Sequence, residues 1–382
     1  MKIIIDTNEL KNTLKAVKPF IQSKGRTLPI LENIVIDATT SRVTITGYEW
    51  DTGTAIRFTI DATCHRRGKC LVNHKGLTDI ISKADGLITI VTNESGVSVD
   101  FDATTFNLKS KPVDDYPILP DAWLADVCFS ITSKDFADAV NHVAVATGDR
   151  MPRNYTSGIL FDIRKGDTCY GIINFVGTDG RRLHHVENQD PVFADATVLI
   201  ETETVRRIAK LSAKASDEIR FGIIRMSDDE PTHFAWEVGN VQGFTTILDT
   251  PYPEWRRVIP DRLTGIIQIN ADKLARIVDR VSPIAKEHDG RDMIRLHGNG
   301  VMTVSASAES RGSGQASIAC NHIAGDDLLV GLNYEYFLDI LKLHKGEIVA
   351  VNYQGELDPI LVRSTADSSR TTVLMPVRLP EE

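Results

Sequence analysis

The sequence predicts an α+β protein made of three similar domains in tandem. Two sets of matching segments and a recurring hairpin carry that prediction. In the first set a short strand runs into a helix whose apolar residues fall four and three apart, which is one face of an α-helix. The segment IIIDTNELKNTLKAV supplies Leu10, Leu14 and Val17, FSITSKDFADAVNHV supplies Phe136, Val140 and Val143, and IQINADKLARIVDRV supplies Leu274, Val278 and Val281. Thr7, Ser133 and Asn270 are the expected N-caps. In the second set CLVNHKGLTDII carries Val72, Leu77 and Ile80, VLIETETVRRIA carries Ile200, Val205 and Ile208, and VGLNYEYFLDIL carries Leu332, Phe337 and Ile340. The two sets recur at closely similar intervals, as a repeated unit requires.

Each second helix is followed by paired alternating stretches, at 88–92 with 97–101, 219–225 with 232–238, and 348–353 with 359–364. Asn93 and Gly96 bracket turn chemistry in the first. Each repeat reads as strand, helix, three strands, helix, three strands. Joins near 121–126 and 260–265 contain Pro and Asp, and divide the chain into domains 1–125, 126–262 and 263–382.

The length of 382 residues suits two or three domains, and 42% hydrophobic with 25% charged residues is ordinary for a folded chain. No apolar run approaches the roughly 20 residues that span a bilayer, so no membrane association is expected. The start MKIIIDTNEL meets a charge too soon for a signal peptide, and a cytoplasmic location is expected. Five scattered cysteines argue against a disulfide framework. The close pair Cys64 and Cys70 lacks the ligand count of a zinc site and reads as a loop between strands. No metal or other cofactor is expected.

The net charge of −9 speaks against nucleic acid if taken as a sum, but its distribution does not. Six helix windows (8–24, 73–85, 133–150, 202–214, 271–286 and 333–345) together carry +7, which leaves −16 for the rest. Lys11, Lys15, Lys18 and Lys24 mark the first window. Arg206, Arg207, Lys210 and Lys214 mark the fourth, and Lys273, Arg276, Arg280 and Lys286 the fifth. Helices gathered on one side of an assembly would offer a positive surface to a phosphate backbone without reading bases.

Four segments, TLPILENIVIDA (27–38), VGTDGRRLHHV (176–186), YPEWRRVIP (252–260) and VLMPVRL (373–379), resemble the bacterial DNA polymerase III beta subunit family, the beta sliding clamps, and the resemblance extends across essentially the whole chain. It implies the DNA clamp fold: a head-to-tail homodimeric ring, helices lining its interior and antiparallel sheets outside. It further implies binding of double-stranded DNA without sequence preference. The implied partners are the DNA polymerase III alpha subunit, the clamp loader and other proteins carrying a short Gln- and Leu-containing motif.

Carried over residue by residue, the resemblance places a peptide-binding cleft at Thr156, Thr178, Gly180, Arg181, Arg182 and Leu183, facing Pro253, Arg257 and Val258. The C-terminal side adds Val373, Leu374, Met375, Pro376, Val377 and Arg378, with Asn333, Tyr336 and Pro359 nearby. Leu183, Val258, Leu374 and Met375 are expected as an apolar floor, with Arg182 and Arg257 bonding peptide carbonyls at the rim. Thr156 stands where many members have an aliphatic residue, and Arg181 where His or Tyr is common. Pro376 lacks an N–H and suits an edge strand. DNA contacts are expected at Lys24, Arg26, Arg150, Arg153 and Tyr155, beside Arg206, Arg207 and Lys210 on the basic helix. The dimer seam would join Phe106 and Leu108 to Pro283 and Ile284.

No phosphate loop, HExxH or GxSxG occurs, so no intrinsic enzyme activity is expected. His184 and His185 would point to opposite faces of a strand and make a poor joint catalytic site. The competing readings are a clamp-like module that recruits partners without loading on DNA, and a secondary clamp copy kept for drug tolerance.

Overall fold

The computed structural model describes the chain except residues 22–27, 94–95, 121–122, 124–125, 149–154, 216–217, 226–230, 287–292 and 380–382. Six α-helices stand among antiparallel sheets: α1 (Thr7–Val17), α2 (His74–Ile81), α3 (Ser133–Val143), α4 (Thr202–Ala215), α5 (Ala271–Ala285) and α6 (Tyr334–Leu343). These are the six helices that the two repeated segment sets predict. The apolar triplets of α1, α3 and α5 are all buried. In α2 the buried positions are His74, Leu77 and Ile81 rather than Ile80, because the helix starts at His74 and its inward stripe runs from there.

The N-caps also shift. Asp6, not Thr7, caps α1, accepting from the amides of Asn8 and Glu9. Thr132 Oγ1 accepts from Asp135 N at the start of α3, while Ser133 Oγ is buried with no hydrogen-bond partner. A cap must be extended, and in both cases the expected residue is already helical. Asn270 does cap α5, at 3.0 Å from Lys273 N. Four or five strands separate the two helices of each repeat rather than three, since short edge strands such as Thr63–Arg66 and Asn321–Ala324 add to the sheets. Cys64 and Cys70 sit on two of these strands, and all five cysteines are free.

Chain contacts gather into two compact units. The first comprises Met1–Ala137, Ile163–Gly171 and Asp190–Ile247. It holds a five-stranded sheet that ends in strand Thr104–Leu108, and a nine-stranded sheet that ends in strand Asp126–Thr132. The long sheet passes from the first repeat into the second where Val241 to Phe244 pair with Phe58 to Ala55. Its interior is aromatic. Phe221 stacks on Phe129 at 4.8 Å and on Phe234 at 5.1 Å, with Phe136 of α3 against it at 4.9 Å.

The second unit comprises Asp138–Asp162, Ile172–Gln189 and Leu248–Glu382. Here strand Arg182–Pro191 pairs with Arg370–Leu374, which pairs with Ile360–Ser364 and so on to Gly265–Asn270. A four-stranded sheet runs from Gly312–Ala319 to Leu328–Asn333. The apolar faces of α5 and α6 close over Ile267, Leu296, Val330 and Val351. Pro283 is tolerated inside α5 because the carbonyl it cannot serve, Asp279 O, takes a bond from Ser282 Oγ at 2.9 Å instead.

Candidate functional site

Strand pairing brings two of the resembling segments side by side. Arg182 lies opposite Leu374 and Leu183 opposite Val373. Past the strand, Met375 N donates to Arg181 O at 2.9 Å, and Val377 N donates to Gly331 O at 2.8 Å. Gly331 is required there, since a Cβ would stand 2.4 Å from the Val377 carbonyl. The C-terminal segment is thus tied by its backbone at both ends of Met375-Pro376.

The hairpin before Arg182 is equally fixed. Gly180 has φ +83°, which favours glycine, and Asp179 Oδ1 accepts from the amides of Arg181 and Arg182 at 2.9 and 3.0 Å. Thr178 Oγ1 donates to Arg182 O at 2.6 Å. Thr156 borders the same turn, its carbonyl accepting from Gly148 N at 2.7 Å. Asn333 caps α6 through a 3.0 Å bond from Tyr336 N, and so sets the Tyr336 ring at the helix start. Pro359 enters strand Ile360–Ser364, whose Ile360 faces Leu374.

Arg182 differs from its expected role. Its side chain is only 9% exposed; Nε donates to Asp179 Oδ2 at 3.1 Å, Nη1 donates to Asp339 Oδ2 at 3.2 Å, and the guanidinium lies 4.3 Å from the Tyr336 ring centre. It is the centre of a buried network rather than an open rim donor. Asp339 lies one helical step from Tyr336, and that spacing was the available signal for it in the sequence. The expected floor also divides. Leu183, Val373 and Leu374 are buried support, whereas Met375 (40% exposed) and Val258 (39%) are open. Arg181, Arg257 and Arg378 are exposed.

Pro253, Arg257 and Val258 lie on a turn held by neighbours that the sequence reading did not single out. Trp255 packs on His185 at 4.7 Å, and Arg256 Nη1 donates to the buried Asp162 Oδ2 at 2.6 Å. His185 Nε2 is 2.8 Å from Asn174 Oδ1. His184 points the other way, with Nδ1 2.9 Å from the His142 carbonyl. The two faces are as the strand alternation predicts. His142 lies between His184 (5.3 Å) and His344 (5.8 Å), and each of the three has one ring nitrogen with no hydrogen-bond partner. Burial pushes His184 down to about 3 and His185 to about 4, and holds His142 well below its ordinary value.

Of the expected DNA contacts, Lys24, Arg26, Arg150 and Arg153 lie outside the described residues. Tyr155 packs edge-on to Tyr252, and its hydroxyl is 4.0 Å from where a Gly180 Cβ would be, which groups it with the cleft turn. On α4, Arg206 pairs with Glu203 and Lys210 is exposed. Arg207 is half-buried, with Nη1 donating to Glu49 Oε2 at 2.6 Å and to Pro19 O at 3.1 Å. Of the seam residues, Phe106 stacks on Phe101 and is half-buried with Leu108 on an end strand. Ile284 lies 3.4 Å from a Cβ placed on Gly314, in another end strand, and Pro283 is exposed. Among the described residues no cluster of three His, Cys, Asp or Glu is arranged for a metal, and no helix is long and apolar enough to cross a membrane.

Two family models match: the DNA polymerase III beta subunit N-terminal domain over residues 1–120 and its C-terminal domain over 256–378. The beta sliding clamp of Chlamydia muridarum is 24% identical over the full length of both chains. That of Staphylococcus epidermidis is 26% identical over 97% of this chain and 96% of its own. The solved beta sliding clamp of C. crescentus superposes with TM-score 0.88 at 22% identity, covering 99% of this chain and all of that one. The DNA polymerase III subunit beta from Pseudomonas aeruginosa gives 0.88 at 21% identity with the same coverage. These likenesses fix the fold, and with both family models matched the chain belongs to the DNA polymerase III beta subunit family, the bacterial beta sliding clamps.

Proposed function

We propose that two copies of this chain close head to tail into a ring around duplex DNA and tether the replicative polymerase to it. Each copy contributes three clamp domains, 1–125, 126–262 and 263–382. The seam joins Phe106 and Leu108 of one copy to Pro283 and Ile284 of the next. Both pairs of residues border end strands, where unpaired backbone groups can continue a sheet. The hole is lined by the helices, and Arg206, Lys210 and their basic neighbours hold the phosphates loosely. Loose holding suits a ring that must slide, and it makes the association salt-dependent. The chain acts in the cytoplasm as an accessory rather than a catalytic subunit, shared by the alpha subunit, the clamp loader and other motif-bearing proteins.

The observation that carries the tethering is the C-terminal segment tied beside the Arg181–Leu183 strand start, with Met375 and Val258 left open. Exposed apolar side chains on fixed backbone are what a short peptide can cover. Calorimetry with a polymerase-derived peptide tests it: deletion of 375–382 should abolish binding, and unchanged affinity refutes the cleft. Sedimentation at micromolar concentration should give twice 42.2 kDa; a strict monomer refutes the ring.

A further inference from the structure

The arginine expected to serve the cleft as a cation is already matched by two carboxylates. Asp179 and Asp339 each bond the Arg182 guanidinium, at 3.1 and 3.2 Å, and Tyr336 covers one of its faces. The network of Arg182, Asp179 and Asp339 carries one negative charge more than positive. Lys342 approaches the other oxygen of Asp339 at 3.8 Å, but its ammonium is 68% exposed and largely screened by water. Hydrogen-bonding capacity is a separate matter from charge. Guanidinium has five N–H groups, and two are used by the carboxylates. Among the described residues Arg182 Nη2 has no protein partner, and it is not sealed from solvent.

We propose that Asp339 is a positioning and specificity-determining residue: with Asp179 it neutralises Arg182 and fixes it against Tyr336, so that this end of the cleft takes a neutral amide or carbonyl oxygen in preference to a carboxylate. The inference rests on the cleft reading above. A neutral acceptor can meet the remaining N–H edge with no charge to oppose it. A carboxylate offered at the same place must approach two fixed carboxylates as well as the one guanidinium. Neither aspartate needs to touch the ligand for this. Asp339 acts through Arg182 and is reached from the helix rather than from the strand.

The test uses the full chain and two synthetic peptides that are identical except for one Gln exchanged for Glu, titrated by calorimetry at low and at physiological salt. The wild type should bind the amide peptide about tenfold more tightly than the carboxylate peptide at low salt, with the ratio shrinking as salt rises. D339N keeps the shape and removes the charge; it should bring the ratio within about threefold, mainly by improving the Glu peptide. D339E should restore the wild-type ratio. A ratio unchanged in D339N, or equal weakening of both peptides, overturns the positioning role and leaves the cleft standing. Failure of the wild type to bind either peptide overturns the cleft reading and this inference with it. Thermal melts of both variants establish that they fold; Asp339 is 39% exposed near the middle of α6, where an isosteric change is tolerated.

Discussion

The interiors of the two units are built from different materials. Beneath the long sheet of the first unit, four phenylalanines stack around Phe221. Beneath the cleft strand of the second, three histidines crowd together, with His185 on the strand's other face. Both interiors are dry, and both hold a strand against α3. The aromatic one owes nothing to protonation. The imidazole one is stable only while its rings stay neutral, because three positive charges within a few ångströms and away from water would repel and lack solvation. The first unit has buried histidines of its own, His74 and His233, also shifted down by burial, but they stand apart from each other and from the Phe221 stack.

The largest expected effect is on acid stability. His142, His184 and His185 titrate lower when folded than in the unfolded chain, where they take protons near 6.5. A depressed folded value means the stabilisation is complete above about pH 6.5 and is lost as pH falls toward about 3. The loss is about 1.4 kcal/mol per histidine per pH unit within that window. Denaturant melts at pH 7.5, 5.5 and 4.5, followed by hydrogen exchange, should show the second unit's strand Arg182–Pro191 opening first. Simultaneous opening of both units would break the comparison. Next, F221A should cost about 3–5 kcal/mol by leaving a cavity, equally at each pH.

Two adjacent-arginine pairs sharpen the contrast at smaller scale. Among Arg181 and Arg182, and among Arg206 and Arg207, one member is exposed and the other is bound inward to carboxylate. R182A leaves Asp179 unpaired and half its network empty, at about 2–3 kcal/mol. R207A, at a wetter pair with Glu49, should cost about 1–2 kcal/mol. R181A and R206A should stay within about 0.5 kcal/mol in the same melts. Smallest in stability is G331A, where the tail can shift away from the new methyl at a cost of about 1 kcal/mol. Peptide affinity should fall more than stability does, and equal loss in both would argue that the tail is only structural.

These arginine pairs mark where the sequence can and cannot be read. Helices, hairpins and the charge partition follow from spacing within a dozen residues, and all six helices lie where the repeated segments put them. The opposed faces of His184 and His185 follow from strand alternation alone. What identifies Arg182 as the inward member is Asp339, which is 157 positions away and adjacent only after folding. Glu49 stands in the same relation to Arg207, 158 positions away. The caps at Asp6 and Thr132 were missed by one residue because cap identity depends on where the backbone first turns helical.

The tie at both ends of Met375-Pro376 has a consequence for how one surface can serve many clients in turn. Met375 N is held by the strand side and Val377 N by the four-stranded sheet, and Pro376 between them has no N–H to give to either. The span is a fixed rope over a gap: its course does not change, while the unbranched thioether hung from it rotates freely. Successive visitors with different apolar shapes then meet a surface that remoulds at one side chain and never needs to refold between them.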